Sequence, residues 1–286
     1  MDSAFGVKGW AIMNDFMGKC TVLVCSCDAY SDLWDPFFTL LNVYWPTRKF
    51  PIWLSTESKE YCNKEFPVQT IHPKGRKNMP WSKRIKQVLQ KIDSPYILLL
   101  LDDFFLKAPV NEQKVEECIL WMDQNKDIAN FSFVPSLWED ICDKEFPGFE
   151  RRPCGGRYKV NCQAGLWRTS MLLKLMRACE DPWEFEWNAS CRSDLYPWRF
   201  YAAEKPKPWV FDYDFSSGGG GVHRGKWTRG VERVFEKHAI AVDFSIRGWD
   251  DSPAPPLGTA RKNPPAAKIT WRSEIKYFIQ HWKAYL

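Results

Sequence analysis

The chain has 286 residues, a formal net charge of +5 and 45% hydrophobic residues, with 16 Trp. A charge this small and dispersed argues against a nucleic-acid-binding protein. No apolar run approaches the roughly 18–20 residues that a membrane-spanning helix needs.

Aromatic residues make up 16% of the chain, and excess Trp and Tyr suit both cores and sites for flat or amphipathic ligands such as sugars and bases. The ten Cys include no C-x-x-C pair and lie far from the four His, so zinc spacing is absent. The start, MDSAFGVKGW, has an early acid and no apolar leader. The chain therefore reads as cytoplasmic, with reduced thiols.

Residues 1–19 form a lead-in. Cys20–Cys27 is short, apolar and β-branched, which predicts a strand, and Asp28 and Tyr30 follow it. Leu33, Phe37, Leu40, Leu41 and Tyr44 then recur at helical spacing. Phe50–Ser55 predicts a second strand ending at Glu57, and Val68–Ile71 a third. After a basic loop, Trp81, Ile85, Val88, Leu89 and Ile92 mark an amphipathic helix with Ser82 and Arg84 in its first turn. Tyr96–Leu101 is apolar without a break and runs directly into Asp102 and Asp103. Such a run predicts a strand buried on both faces. Carboxylates at its exit are costly unless a cation meets them. Asn111 predicts the cap of the next helix, and Ile128–Val134 the next strand.

Strand and helix thus alternate, as in an α/β layer with a mixed, mainly parallel sheet flanked by helices. Asp28, Glu57, Asp102 and Asp103 all follow strands, and in such a sheet these ends share one edge.

The second half is less regular. Tyr158–Arg168 predicts a strand, with Gly165 marking close approach of a ligand or another backbone. Thr169 or Ser170 is positioned to cap a helix. Asp181, Pro182 and Glu184 form a strong start signal for another. Gly218–Gly221 precede His223, Arg224 and Lys226, a pattern that suits either a phosphate-closing loop or a plain surface loop. The single domain spans 20–250. Residues 251–267 read as a Pro-rich linker and 268–286 as a basic, aromatic helix. That helix fits either docking on its own core or peripheral contact with a membrane surface.

Together, the strand ending in Asp28, the WSKR helix start at Trp81–Arg84, the apolar strand into Asp102-Asp103, QAGLW at Gln163–Trp167, PWEFEW at Pro182–Trp187 and RGKW at Arg224–Trp227 resemble a GT-A glycosyltransferase. They are similar to the bacterial sugar transferases of capsule, O-antigen and related surface glycans over about residues 20–230. The resemblance implies a GT-A (Rossmann-like) fold and transfer from a nucleotide-sugar donor to a glycan or lipid-linked acceptor in polysaccharide biosynthesis. It places Asp28, Tyr30, Glu57, Ser82, Arg84, Asp102, His223, Arg224 and Lys226 on the donor side. It assigns Gln163, Gly165, Trp167 and Trp183 to the acceptor. Asp103 and Asp102 would hold Mn²⁺ or Mg²⁺ against the diphosphate, with His223 as an alternative metal ligand. The family motif is Asp-x-Asp, whereas these acids are adjacent, and neighbours in a strand point to opposite faces. One direct ligand is therefore expected.

An inverting transfer needs a base to take the acceptor hydroxyl proton. Glu186 is the first candidate and Glu184 the second, because Glu184 also fits a capping box. Retaining chemistry would not need this base. Two other readings fit parts of the pattern. A metal-dependent phosphohydrolase or nucleotidyltransferase predicts further acids grouped as ligands. A non-catalytic carbohydrate-binding protein explains the Trp content but gives no reason for acids at several strand ends.

Overall fold

The structure is a computed structural model that describes residues 16, 18–63, 65, 67–75, 79–136, 144–205, 208–213, 220–251, 275 and 279. The expected linker and almost all of the C-terminal helix lie outside these residues, as do most of the lead-in and Gly218 and Gly219.

The sheet is built outward from β4, Tyr96–Leu101. Its six apolar residues serve two cores. Tyr96, Leu98 and Leu100 point to one, and Ile97 and Leu99 to the other. Strand β1, Cys20–Cys25, pairs parallel to β4 along its whole length, from Cys20 opposite Tyr96 to Cys25 opposite Leu101. Strands β2, Ile52–Ser55, and β3, Gln69–Ile71, extend the parallel set outward. On the other side lie β7, Gly165–Arg168, then β5, Ile128–Pro135, β8, Arg199–Ala203, and β6, Phe149–Arg151. Strands β7 and β6 run against the other six, so the eight-stranded sheet is mixed and mainly parallel, as expected.

Helices cover both faces. Helix α1, Trp34–Tyr44, and α3, Glu112–Gln124, pack on one face through Phe37, Phe38, Val115 and Ile119. Helix α2, Trp81–Leu89, α4, Thr169–Leu175, and α5, Pro182–Ser193, pack on the other through Ile85, Val88, Leu172, Phe185 and Ala189. Each fully buried side chain of this size contributes on the order of 1.5–3 kcal/mol of transfer free energy, which is why two alternating apolar faces fix the register of β4 so firmly. Among the described residues no helix is long and apolar enough to cross a membrane.

Two helix starts follow the sequence closely. The Asn111 side chain accepts from Lys114 N at 3.0 Å. Asp181 and Glu184 form the full capping box, with Pro182 at the first helical position. Other expectations need correction. The strand expected over 158–168 is confined to Gly165–Arg168, because side chains of α5 hold the backbone of 159–162. Thr169 does not cap α4. Its hydroxyl donates to Ser94 O at 2.7 Å, tying α4 to the entry of β4. Strands β6 and β8, a hairpin of β9, Val222–His223, and β10, Lys226–Trp227, and α6, Gly230–Lys237, carried no recognised signal.

Candidate active site at the carboxyl edge of the sheet

Strands β1, β2 and β4 deliver Ser26, Glu57 and Asp102-Asp103 to one edge. The pleat that turns Val22 and Val24 toward α1 also turns Ser26 that way, and the parity of Leu98 and Leu100 does the same for Asp102. The two meet: the Ser26 hydroxyl donates to Asp102 Oδ2 and receives the Trp34 indole N–H at 2.7 Å. Asp102 is 4% exposed. Burial, and then the charge of Asp103, push its pKa well up. Asp103 is more open. Burial raises it to about 7, with the Arg247 guanidinium pulling the other way. Two adjacent carboxyls with raised pKa values at a strand exit are a site that gains from an added cation. That chemistry fits a divalent metal held by one or both acids, with the remaining ligands from phosphate. Among the described residues no group of three or more His, Cys, Asp or Glu side chains gathers as a metal nest.

The donor-side residues Asp28, Glu57 and Arg84 form one network. Arg84, on the first turn of α2, is 5% exposed and pairs with Glu57 Oε1. The other Glu57 oxygen accepts from Asp28 N. Asp28 in turn receives the N–H groups of Glu57, Ser58 and Lys59 at 3.0, 3.0 and 3.1 Å, and the Ser58 hydroxyl at 2.5 Å. Burial alone would raise the Asp28 pKa. The hydrogen bonds from Ser58, Lys59 and Glu57 outweigh it and hold the carboxyl well below the usual carboxylate range. Asp28 therefore organises the 57–59 turn. Cys27 lies between these groups, and burial, followed by the charges of Glu57 and Asp102, pushes its thiol up. Ser82 is fully buried and faces elsewhere. Its N–H donates to Glu180 O at 3.1 Å and its hydroxyl accepts from Glu180 N at 2.9 Å, so it joins α2 to the start of α5.

The segment after β8 closes the edge. Gly221 N donates to Asp103 O at 2.6 Å. A Cβ on Gly220 would lie 3.2 Å from Asp103 Oδ2, and one on Gly221 would collide with the Phe105 ring at 2.1 Å. Glycine here is demanded by close packing over the acids. The β9–β10 hairpin follows, turning at Arg224 and Gly225 with φ of 51° and 80°. Arg224 and Lys226 are exposed, and His223 is tied through Nδ1 to Asp250.

Arg247 fastens this hairpin to the exit of β1. It donates to Asp32 at 2.7 and 2.5 Å, to Ala29 O at 2.8 Å and to Gly225 O at 3.3 Å. Its guanidinium stacks 4.4 Å from the Tyr30 ring centre, so one face of Tyr30 is already covered. Burial and then the Asp103 charge raise the Tyr30 pKa. Sequence reasoning missed Ser26, Trp34, Asp250 and Arg247. Strand parity with Val22 and Val24 was a usable signal for Ser26. Arg247 lies 215 residues from Asp32 in a stretch without periodicity and gave none.

Because β7 runs antiparallel to β4, with Gly165 opposite Leu99, the residues just before β7 approach the exit of β4. Cys162 N donates there to Glu186 Oε1 at 2.7 Å. Burial raises the Glu186 pKa to about 7, and this hydrogen bond opposes it. Glu186 thus escapes the lowering expected at a helix N-terminus. Glu184 instead turns back to Asp181 N at 3.0 Å. The expected acceptor residues separate. Gly165 packs against β5, where a Cβ would lie 3.1 Å from Phe131 O and Asn130 Nδ2, so another backbone and side chain require it. Trp167 is 1% exposed and packs edge-on to Phe200 at 6.2 Å; it offers no face to a sugar. Gln163 Oε1 is buried with no hydrogen-bond partner among the described residues, and Trp183 is 71% exposed.

No protein-family model matches the chain, and no curated protein matches it. Several solved structures are similar in layout. Residues 1–349 of TarS from S. aureus give a TM-score of 0.40 at 11% identity, covering 67% of this chain and 59% of that one. A mannosyltransferase from Pyrobaculum calidifontis, solved with GDP-Man and Mn²⁺, gives 0.44 at 8% identity, covering 70% and 62%. The chain thus spans about three-fifths of these proteins.

Proposed function

We propose that this chain is a glycosyltransferase that moves a sugar from a nucleoside diphosphate to an acceptor hydroxyl. The observation that carries the reading is the convergence, at one sheet edge, of the Asp102-Asp103 pair and the poised carboxyl of Glu186. The two ends suit the two halves of the reaction. At one end, Asp103 with Asp102 would hold Mn²⁺ or Mg²⁺, which when bound neutralises charge on a departing diphosphate. Arg224 and Lys226 on the hairpin would add positive charge at the same end. At the other end, the Glu186 carboxylate takes the acceptor proton while the acceptor oxygen bonds to the anomeric carbon. The bond from that carbon to the diphosphate oxygen breaks, and the nucleoside diphosphate keeps the electron pair. A value near 7 suits this role, since a base works best with its pKa near the working pH. The acid pairing at Asp28, Glu57 and Arg84 fixes the floor on which the nucleoside would rest. Work on surface or capsular polysaccharide fits this chemistry.

Differential scanning fluorimetry with UDP, GDP, ADP and CDP, each with and without Mn²⁺, tests the donor half. At least one nucleoside diphosphate with Mn²⁺ should raise Tm by several degrees, and Asp103→Asn should abolish the rise. No shift with any of the four would sink the proposal.

A further inference from the structure

We infer that the outer surface of α2 and α4 seats the chain on an anionic lipid bilayer. This surface lies on a helical face of the sheet rather than at its carboxyl edge, and docking here would hold whether or not the chain transfers sugar. The charge pattern is local. From Ile71 to Tyr96 the sequence holds seven Lys or Arg residues and one acid, Asp93, and from Gly165 to Cys179 it holds Arg168, Lys174 and Arg177 and no acid. Helices α2 and α4 themselves carry no acid. The opposite face of the sheet is the reverse. Helices α1 and α3 carry five acids against one cation, Lys114. Several of those acids are matched: Asp123 pairs with Lys19 at 3.2 Å, Glu116 with Lys49 at 2.6 Å and Glu117 with Lys114.

On α2, Ser82, Arg84, Ile85, Val88 and Leu89 are buried, which leaves 83, 86, 87 and 90 on the outer side. Lys74 lies over this side, its backbone N–H donating to the Gln87 side chain at 2.8 Å. Past the helix end, Lys91 donates to His72 O at 2.9 Å. Toward α4, Lys86 comes close to Arg177, and burial and then the Arg177 charge lower its pKa. Arg177 donates to Lys174 O at 3.1 Å. The Lys174 ammonium sits 4.8 Å from the ring centre of Tyr196 and 5.8 Å from that of Trp198, two partly exposed rings stacked at 4.1 Å and 10°. Cations therefore run from the loop before α2 across to α4 and end on an aromatic pair. Among the described residues Lys74, Lys83, Lys91 and Lys174 have no carboxylate partner. The acids of the neighbouring α5 are turned elsewhere: Glu184 holds Asp181 N and Glu186 holds Cys162 N. Asp194, just past that helix, pairs with Lys159, and Ser190 accepts from Val160 N at 3.0 Å. Glu180 is buried against Arg192. Like charges held this close repel, and a layer of anionic headgroups relieves them. The Tyr-Trp pair decides for a bilayer over a soluble polyanion, because such rings settle at the headgroup level.

Co-sedimentation of the full chain with phosphatidylcholine vesicles, with and without phosphatidylglycerol, reads this directly. Binding should require the anionic lipid and should be lost between about 0.1 M and about 0.5 M NaCl. The triple variant Lys74→Gln, Lys83→Gln, Lys174→Gln removes three charges from this face. Each Lys near such a surface contributes about fivefold in affinity, so partitioning should fall by about a hundredfold, with melting unchanged. The variant Lys268→Gln, Arg272→Gln, Lys276→Gln removes the same net charge from the C-terminal segment and should weaken binding by about tenfold at most. The two variants have equal net charge, so the difference between them reports this face and not bulk charge. No binding to anionic vesicles, equal binding to neutral ones, or an equal or larger loss in the C-terminal variant overturns the assignment. Retention on heparin with no vesicle binding also overturns it and makes the partner a soluble polyanion.

Discussion

Asp28 follows β1 and Glu186 holds the turn into β7, the two strands that flank β4, and their surroundings differ in a way that separates scaffold from chemistry. Asp28 receives three backbone N–H groups and a hydroxyl. These donors hold its negative charge, and protonating it would loosen the turn. Glu186 receives one backbone N–H and is otherwise desolvated, so burial lifts it to about 7. Both acids were read from the sequence as site residues. The lesson is that position at the edge selects candidates, while the number of donors around a carboxylate decides whether it can exchange a proton. Asp103 stands with Glu186 in this respect, raised to about 7.

The largest expected effect tests that division directly. Glu186→Gln keeps an oxygen for the Cys162 N–H and removes the base. Once a donor sugar is found, kcat should fall by about 10²–10⁴-fold while nucleotide-induced stabilisation stays as in the wild type. Turnover within a few-fold of the wild type would return Glu186 to a purely structural place beside Ser190 and Asp194. Next in size is the anchor beneath α5. Arg192 donates to Glu180 at 2.5 and 2.7 Å and to Leu175 O at 2.7 Å. Glu180 is 1% exposed, and Arg192 is buried with it. Removing one partner strands a buried charge, so Glu180→Ala should cost about 3–5 kcal/mol in urea unfolding. A loss below 1 kcal/mol would mean that α5 is held by its apolar face and the loop contacts alone.

The pH dependence sharpens the same contrast. The folded value for Glu186 lies above its unfolded value of about 4.3, so the folded state binds more protons between them. Stability on this account falls as pH rises from about 4.3 toward 7 and stays reduced above it. Glu186→Gln abolishes the effect. From pH 5 to pH 8 the wild type should therefore lose on the order of 2–3 kcal/mol relative to Glu186→Gln. Parallel unfolding curves for the two proteins across that range would show that Glu186 is not desolvated.

Much of the edge was legible because apolar runs and strand ends are local signals. The unbroken run Tyr96–Leu101 located the central strand and its acids, and the Asn111 and Asp181 caps located two helix starts. What stayed hidden depends on contacts between distant segments. The resemblance assigned Trp167 to the acceptor, yet the pleat of β7 turns it into the core against Phe200. Ser82 lay in a helix first turn suited to anions, yet it bonds Glu180. Arg247 takes its role entirely from the turn at Ala29 and Asp32. The irregular path of 159–162 has the same origin, since α5 side chains replace a strand partner.

The smallest expected effect concerns Asp28, and it completes the contrast. If this acid is a strut, Asp28→Ala should destabilise the fold without changing the chemistry of the edge. Three N–H groups lose their carboxylate, but the turn is open enough for water to replace part of the interaction. The cost should be about 1–2 kcal/mol at pH 7. The sign with pH is opposite to that for Glu186. The folded value lies below the unfolded value of about 3.9, so the contribution is present above pH 4 and is lost as pH falls below it. The stability difference between wild type and Asp28→Ala should therefore hold steady from pH 5 to 8 and shrink below pH 4. A difference that instead shrank between pH 6 and 8 would mean that Asp28 titrates with the poised acids and belongs to the reacting group rather than to its support.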